Sequence, residues 1–122
     1  MPKKILIIED EPALLKAMGE ALALEGFEAA QAMDADRGMA QLQQSKPDLI
    51  LLDLILPGKN GFEILKELKA SAEYSKIPVI ILSNLGDEEE IQQGLKLGAV
   101  DFLIKADYDL ADVVNIIKKH LK

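Results

Sequence analysis

Three short stretches of the chain are apolar without interruption: Ile5 to Ile8, Leu49 to Leu52 and Val79 to Leu82. They lack the polar alternation of a strand with one solvated face, so they read as strands covered on both faces, the pattern of a parallel sheet. Two weaker strands are expected at Phe27 to Ala32 and Asp101 to Ile104, each just after a glycine suited to ending a helix, Gly26 and Gly98. Between these runs the period becomes helical. Leu14, Leu15, Met18, Ala21 and Leu22 share one helix face, Gly61, Ile64, Leu65 and Leu68 another, and Leu110, Val113, Val114, Ile117 and Leu121 a third. That last helix leaves Asp112, Lys118 and Lys119 for solvent. Asp34 and Asp87 are placed to cap helix N-termini, and Glu90, three residues after Asp87, is expected to complete an acidic capping box.

Five strands alternating with five helices through short connections lead to an open, doubly wound α/β sheet with helices on both faces. The length of 122 residues and a hydrophobic content of 49% allow one core, so residues 1–122 are expected to form one domain. No internal repeat, low-complexity tract or Pro/Gly/Ser-rich linker interrupts the pattern.

Composition then narrows the function. A formal charge of −7 repels phosphate backbones, and an aromatic content of 4% without Trp supplies no base-stacking platform, so direct nucleic-acid binding is not expected. The absence of Cys removes disulfides and thiolate chemistry. No apolar run nears the ~18 residues of a membrane span, and the start is too short for a secretory signal. A cytoplasmic protein without membrane contact is expected, with a metal ion or a basic partner as its complement.

Ligands of an open α/β sheet bind at the carboxyl ends of the strands. The first strand runs into Glu9, Asp10 and Glu11, the third into Asp53, the fourth ends in Ser83, and the fifth runs into Lys105. Each alone has an ordinary explanation. Acidic residues after a strand often cap the next helix, and Glu11 before Pro12 reads as helix-start punctuation; Ser83 alone suits a turn, Lys105 a surface, and Phe102 the core. Together they say more. Carboxylates from two strand ends repel unless a hard cation with oxygen ligands lies between them, which suits magnesium. A lysine and a hydroxyl opposite that metal would receive the equatorial oxygens of a transferring phosphoryl group.

The segments "KKILIIEDE", "LILLDLILPGKNG", "VIILSN" and "DFLIK" give the chain, over nearly its whole length, a close resemblance to the receiver family of two-component signalling, the chemotaxis-receiver-like domains. The resemblance implies a flavodoxin-like fold with strand order 2-1-3-4-5. It matches Asp53 to the phosphoacceptor, Asp10 to a direct Mg2+ ligand, Glu9 to a second acid acting through water, and Ile55 to a backbone carbonyl ligand. Ser83 and Lys105 match the groups that bond the phosphoryl oxygens, and Ser83 with Phe102 the pair that moves on activation. Pro57 and Gly61 match the turn into the third helix. The implied function is a Mg2+-dependent phosphoacceptor, not a true enzyme, loaded by a sensor histidine kinase or phosphotransfer protein. Its output would pass to a protein partner through the fourth helix, fifth strand and fifth helix.

The chain departs from the family pattern at two positions. The usual proline after the lysine is Ala106, for which a cis bond would cost ~2.5–4 kcal/mol, so a trans bond is expected. The residue after Ser83, usually small, is Asn84, whose amide either narrows access to Asp53 or bonds the phosphoryl group. Ile55 and Leu85, two positions beyond Asp53 and Ser83, are both apolar and are expected to slow self-dephosphorylation, since neither orients a water. The main alternative is a pseudo-receiver that keeps the fold without taking phosphate. A haloacid-dehalogenase-type phosphatase would want an acid where Ile55 stands, and a histidine phosphotransfer role would fall to His120, the one histidine, near the end of the last helix.

Overall fold

Parallel pairing organises the molecule, and it follows from the apolar runs. In the computed structural model, which describes residues 2–84 and 86–121, five strands form one parallel sheet in the order β2-β1-β3-β4-β5. They are β1 Lys4–Ile8, β2 Glu28–Ala32, β3 Leu49–Leu52, β4 Val79–Ser83 and β5 Asp101–Ile104. The helices are α1 Pro12–Leu24, α2 Ala35–Gln44, α3 Gly61–Ala70, α4 Glu88–Lys96 and α5 Leu110–His120. The three central strands are buried almost throughout, which is why their sequences show no alternation.

Successive side chains on a strand point to opposite faces, so each central strand feeds two cores. Ile5, Ile7, Leu49, Leu51, Ile80 and Leu82 pack with Leu15, Met18 and Leu22 of α1 and Val113, Val114 and Ile117 of α5. Leu6, Ile8, Ile50, Leu52, Val79 and Ile81 pack on the other side with α2 and α3, and Phe102 joins them.

Two helices end as the glycines foretold. Gly26 has φ 86° and Gly98 φ 111°, a region that L side chains rarely adopt. In each case the glycine N–H and the following N–H return to carbonyls in the last turn: Gly26 to Ala23 and Phe27 to Leu22, Gly98 to Leu95 and Ala99 to Gly94. This corrects the expected start of β2. The Phe27 N–H is used to finish α1, so the strand begins at Glu28.

Asp34 and Asp87 cap α2 and α4, accepting from the N–H groups of Arg37 and Glu90. The reciprocal box expected at Asp87 and Glu90 forms instead at Asp109 and Asp112, where each side chain accepts the other's N–H at 2.8 and 3.1 Å. The Lys105–Ala106 peptide is trans, as expected, and Lys105–Asp107 form a short 3-10 turn between β5 and α5. Among the described residues no helix is long and apolar enough to cross a membrane.

Candidate functional site

Register brings the acids together. Ile8 pairs with Leu52, and the ladder continues one step beyond the strands: the Asp53 N–H donates to the Ile8 carbonyl at 2.9 Å and the Glu9 N–H to the Ala32 carbonyl at 3.0 Å. Glu9 and Asp53 therefore stand side by side, each with backbone held by the sheet. Both are almost fully buried, at 3% and 5% exposure, whereas Asp10 is half-buried. One carboxylate oxygen from each of Glu9, Asp10 and Asp53 lies within 4.8 Å of the others. A hard, all-oxygen donor set of this size suits Mg2+.

The fourth and fifth strands complete the arrangement. Ser83 pairs in register with Ile104, so Lys105 follows directly after the pair at the same sheet edge. The Lys105 Nζ lies 2.8 Å from Glu9 Oε1, 3.2 Å from Asp53 Oδ2 and 3.2 Å from Glu11 Oε1. Asp53 Oδ1 accepts from the Ile55 N–H at 3.2 Å, and Glu9 Oε2 from the Glu11 N–H at 3.0 Å. Ser83 is fully buried at the end of β4. The β3–α3 turn passes Pro57 and Gly58, the latter at φ 81°, before Asn60 caps α3 through the Glu63 N–H.

The electrostatics follow from this packing. Burial pushes the Glu9 carboxyl up to about 7, and the Asp53 charge adds to the rise, against the lowering pull of the Lys105 ammonium and the Glu11 N–H. Burial alone would lower Lys105, but the carboxylates of Glu9 and Asp53 outweigh it and hold the ammonium above the usual lysine range. Lys105 is therefore a fixed cation among acids that outnumber it. A divalent cation or a phosphoryl group could each take up part of that network.

A family model for the response regulator receiver domain matches residues 5–118. The chain belongs to the response regulator receiver family. Receivers are signalling switches of two-component systems rather than conventional enzymes. The chain is 39% identical over 105 residues to the phosphate regulon transcriptional regulatory protein PhoB of Escherichia coli (strain K12), covering 86% of this chain and 46% of PhoB. It spans about half the length of the curated relatives it matches. Among solved structures it resembles the phosphorylated cyanobacterial phytochrome response regulator RcpA, at 35% identity and a TM-score of 0.84, covering 98% of this chain and 91% of that one. It also resembles the Mn(2+)-bound form of response regulator Rcp1, at 32% identity and a TM-score of 0.83, covering 97% and 91%.

In this receiver the fold gathers Glu9, Asp10, Asp53, Ile55, Ser83 and Lys105 at one sheet edge. Phe102 is buried in the neighbouring strand, on the face shared with α2 and α3, and Asn84 is exposed just beyond β4. Leu85, expected beside the phosphorylation site, lies outside the described residues. The expectation that Glu11 marks a helix start holds for its backbone and leaves out its side chain. Its residue does stand at the N-cap of α1 before Pro12, but its carboxylate makes no capping bond and reaches Lys105 instead. The signal was present in the strand-end count, which already included it.

Proposed function

We propose that this receiver accepts a phosphoryl group on the Asp53 carboxylate, in a Mg2+-dependent transfer from the phosphohistidine of a sensor kinase or phosphotransfer protein. The observation carrying this reading is the buried Asp53 at the end of β3, bonded to Lys105 on one oxygen and to a backbone N–H on the other, with an acid pair beside it. A carboxylate oxygen attacks phosphorus, the P–N bond to the donor imidazole breaks, and the imidazole leaves with its electron pair and takes a proton. Mg2+ held by Glu9, Asp10, Asp53 and the Ile55 carbonyl would supply positive charge against the approaching dianion.

The chain's own groups do the rest. The Ile55 N–H fixes the rotation of the Asp53 carboxylate, which reduces the freedom lost on reaching the reactive geometry. Lys105 can exchange its carboxylate partners for a phosphoryl oxygen, and Ser83, buried at the end of the adjacent strand, would bond another through its hydroxyl. Drawing Ser83 and Lys105 toward the new group would pull on β4 and β5, and Phe102, three residues before Lys105 in β5, would relay the change to the surface of α4, β5 and α5. The acidic charge of −7 favours a protein as the recipient there. We take residues 1–122 as one receiver domain.

Intact mass after incubation with acetyl phosphate and Mg2+ tests the reaction. The parent should gain one phosphoryl mass, chelator should abolish the gain, and Asp53→Asn should show none. A gain in Asp53→Asn equal to the parent's would move the phosphoacceptor elsewhere. No gain in the parent, from acetyl phosphate or from a kinase, would leave the pseudo-receiver reading.

A further inference from the structure

The three carboxylates around Lys105 are not equivalent. Glu9 and Asp53, at 2.8 and 3.2 Å from its Nζ, also belong to the acidic cluster that suits a divalent cation. Glu11, at 3.2 Å, stands outside that cluster, and its side chain is 54% exposed. Its backbone is anchored, because its N–H donates to Glu9 Oε2 at 3.0 Å, while its carboxylate bonds the lysine and no other cation among the described residues. Glu9 thus bonds Lys105 through one oxygen and the Glu11 backbone through the other.

A divalent cation among Glu9, Asp10 and Asp53 would compete with the lysine for the same oxygens and repel its charge at close range. Displaced from those oxygens, the Lys105 Nζ already has another carboxylate in reach, Glu11 Oε1 at 3.2 Å. Of its three acceptors, Glu11 is the one such a cation does not claim. We propose that Glu11 is a positioning residue, which holds Lys105 aside when the metal is bound and competes with the phosphoryl group for it afterwards. This deepens the phosphoacceptor reading and rests on it for its consequence, although its first readout is metal binding alone.

Removing the Glu11 charge then has two opposite effects. Without a place to withdraw to, Lys105 stays between Glu9 and Asp53 and metal binding weakens. Once metal is saturating, the lysine has one competitor fewer and turns to a phosphoryl-like anion more readily. A bare loss of negative field near the site would produce the same two signs, so the deciding observation is whether the effect passes through Lys105.

Calorimetric titration of the chain with MgCl2 at constant ionic strength separates the possibilities. Glu11→Gln should weaken Mg2+ binding about five-fold, the scale of a half-exposed ion-pair partner lost. In a Lys105→Ala background the same substitution should change affinity by less than about two-fold. At saturating Mg2+, beryllofluoride should bind Glu11→Gln more tightly than the parent by a similar factor. Equal weakening in both backgrounds, no weakening in the native background, or looser beryllofluoride binding would each overturn the proposal. Failure of the phosphoacceptor reading looks different: a parent that binds Mg2+ normally yet gains no phosphoryl mass.

Discussion

Glu9 is the residue at which burial and function pull hardest against each other. Its folded-state value of about 7 stands above the ordinary 4.5, so between those values the folded chain holds a proton that the unfolded chain releases. The contribution of this group to stability is therefore lost as pH rises through that window, by on the order of 2–3 kcal/mol. In chelator, the parent should lose more stability than Glu9→Gln between pH about 5.5 and about 7.5, measured by denaturant unfolding. Equal losses would show that Glu9 ionises without strain. Ile55 matters for the lifetime of the signal. The residue is 52% exposed and its side chain apolar, two residues from Asp53, so it offers no group to orient a hydrolytic water. Slow self-dephosphorylation is expected, and Ile55→Asn should shorten the phosphoryl lifetime by about 3- to 10-fold. An unchanged decay rate would assign water access to other residues. The chemical set of the candidate site was legible because its acids and Lys105 follow recognisable strands and Ser83 ends one. The reach of Glu11 was not, because a residue's position at a helix start does not say whether its long side chain turns to the helix or away from it.

At the level of elements, the contact between α3 and the end of β3 is the least tolerant. A Cβ on Gly61 would fall 2.6 Å from the Asp53 carbonyl oxygen and 2.7 Å from the Leu54 Cα, both backbone atoms that cannot rotate aside. Gly61→Ala should destabilise the fold by about 1–3 kcal/mol and slow phosphorylation, because relief requires moving the turn that carries Asp53 and Ile55. Thermal unfolding and the rate of mass gain from acetyl phosphate check both parts; a parent-like rate in the folded variant would separate the turn from the chemistry. Helix periodicity predicted the buried face of α3, including Gly61 itself, since burial repeats every three to four residues. Cap details were less readable. An Asp followed three residues later by an acid occurs at both Asp87 and Asp109, and the reciprocal bond forms at the second, a choice made by side-chain rotamers rather than by spacing.

For the molecule as a whole, a cation that binds only the folded chain must raise its stability. The melting temperature should climb with Mg2+ according to RT ln(1 + [L]/Kd), and the climb should shrink in Asp10→Ala; equal climbs would place the ion elsewhere. Strand order was the part of the architecture that the residues themselves could not supply, since it depends on which distant runs pair, and the family resemblance provided it. That arrangement also has an implication for synthesis. The acids stand together once β1 and β3 pair, which needs only the chain up to Asp53, whereas the lysine arrives with residue 105. Should β1 and β3 pair on a nascent chain before β5 is made, the like charges would gather before their protein counterion. In refolding from denaturant the same order can arise wherever β1 and β3 pair ahead of β5, and a dissolved divalent ion is then the nearest substitute for Lys105, so refolding should be faster in Mg2+ for the parent and indifferent to it in Asp10→Ala.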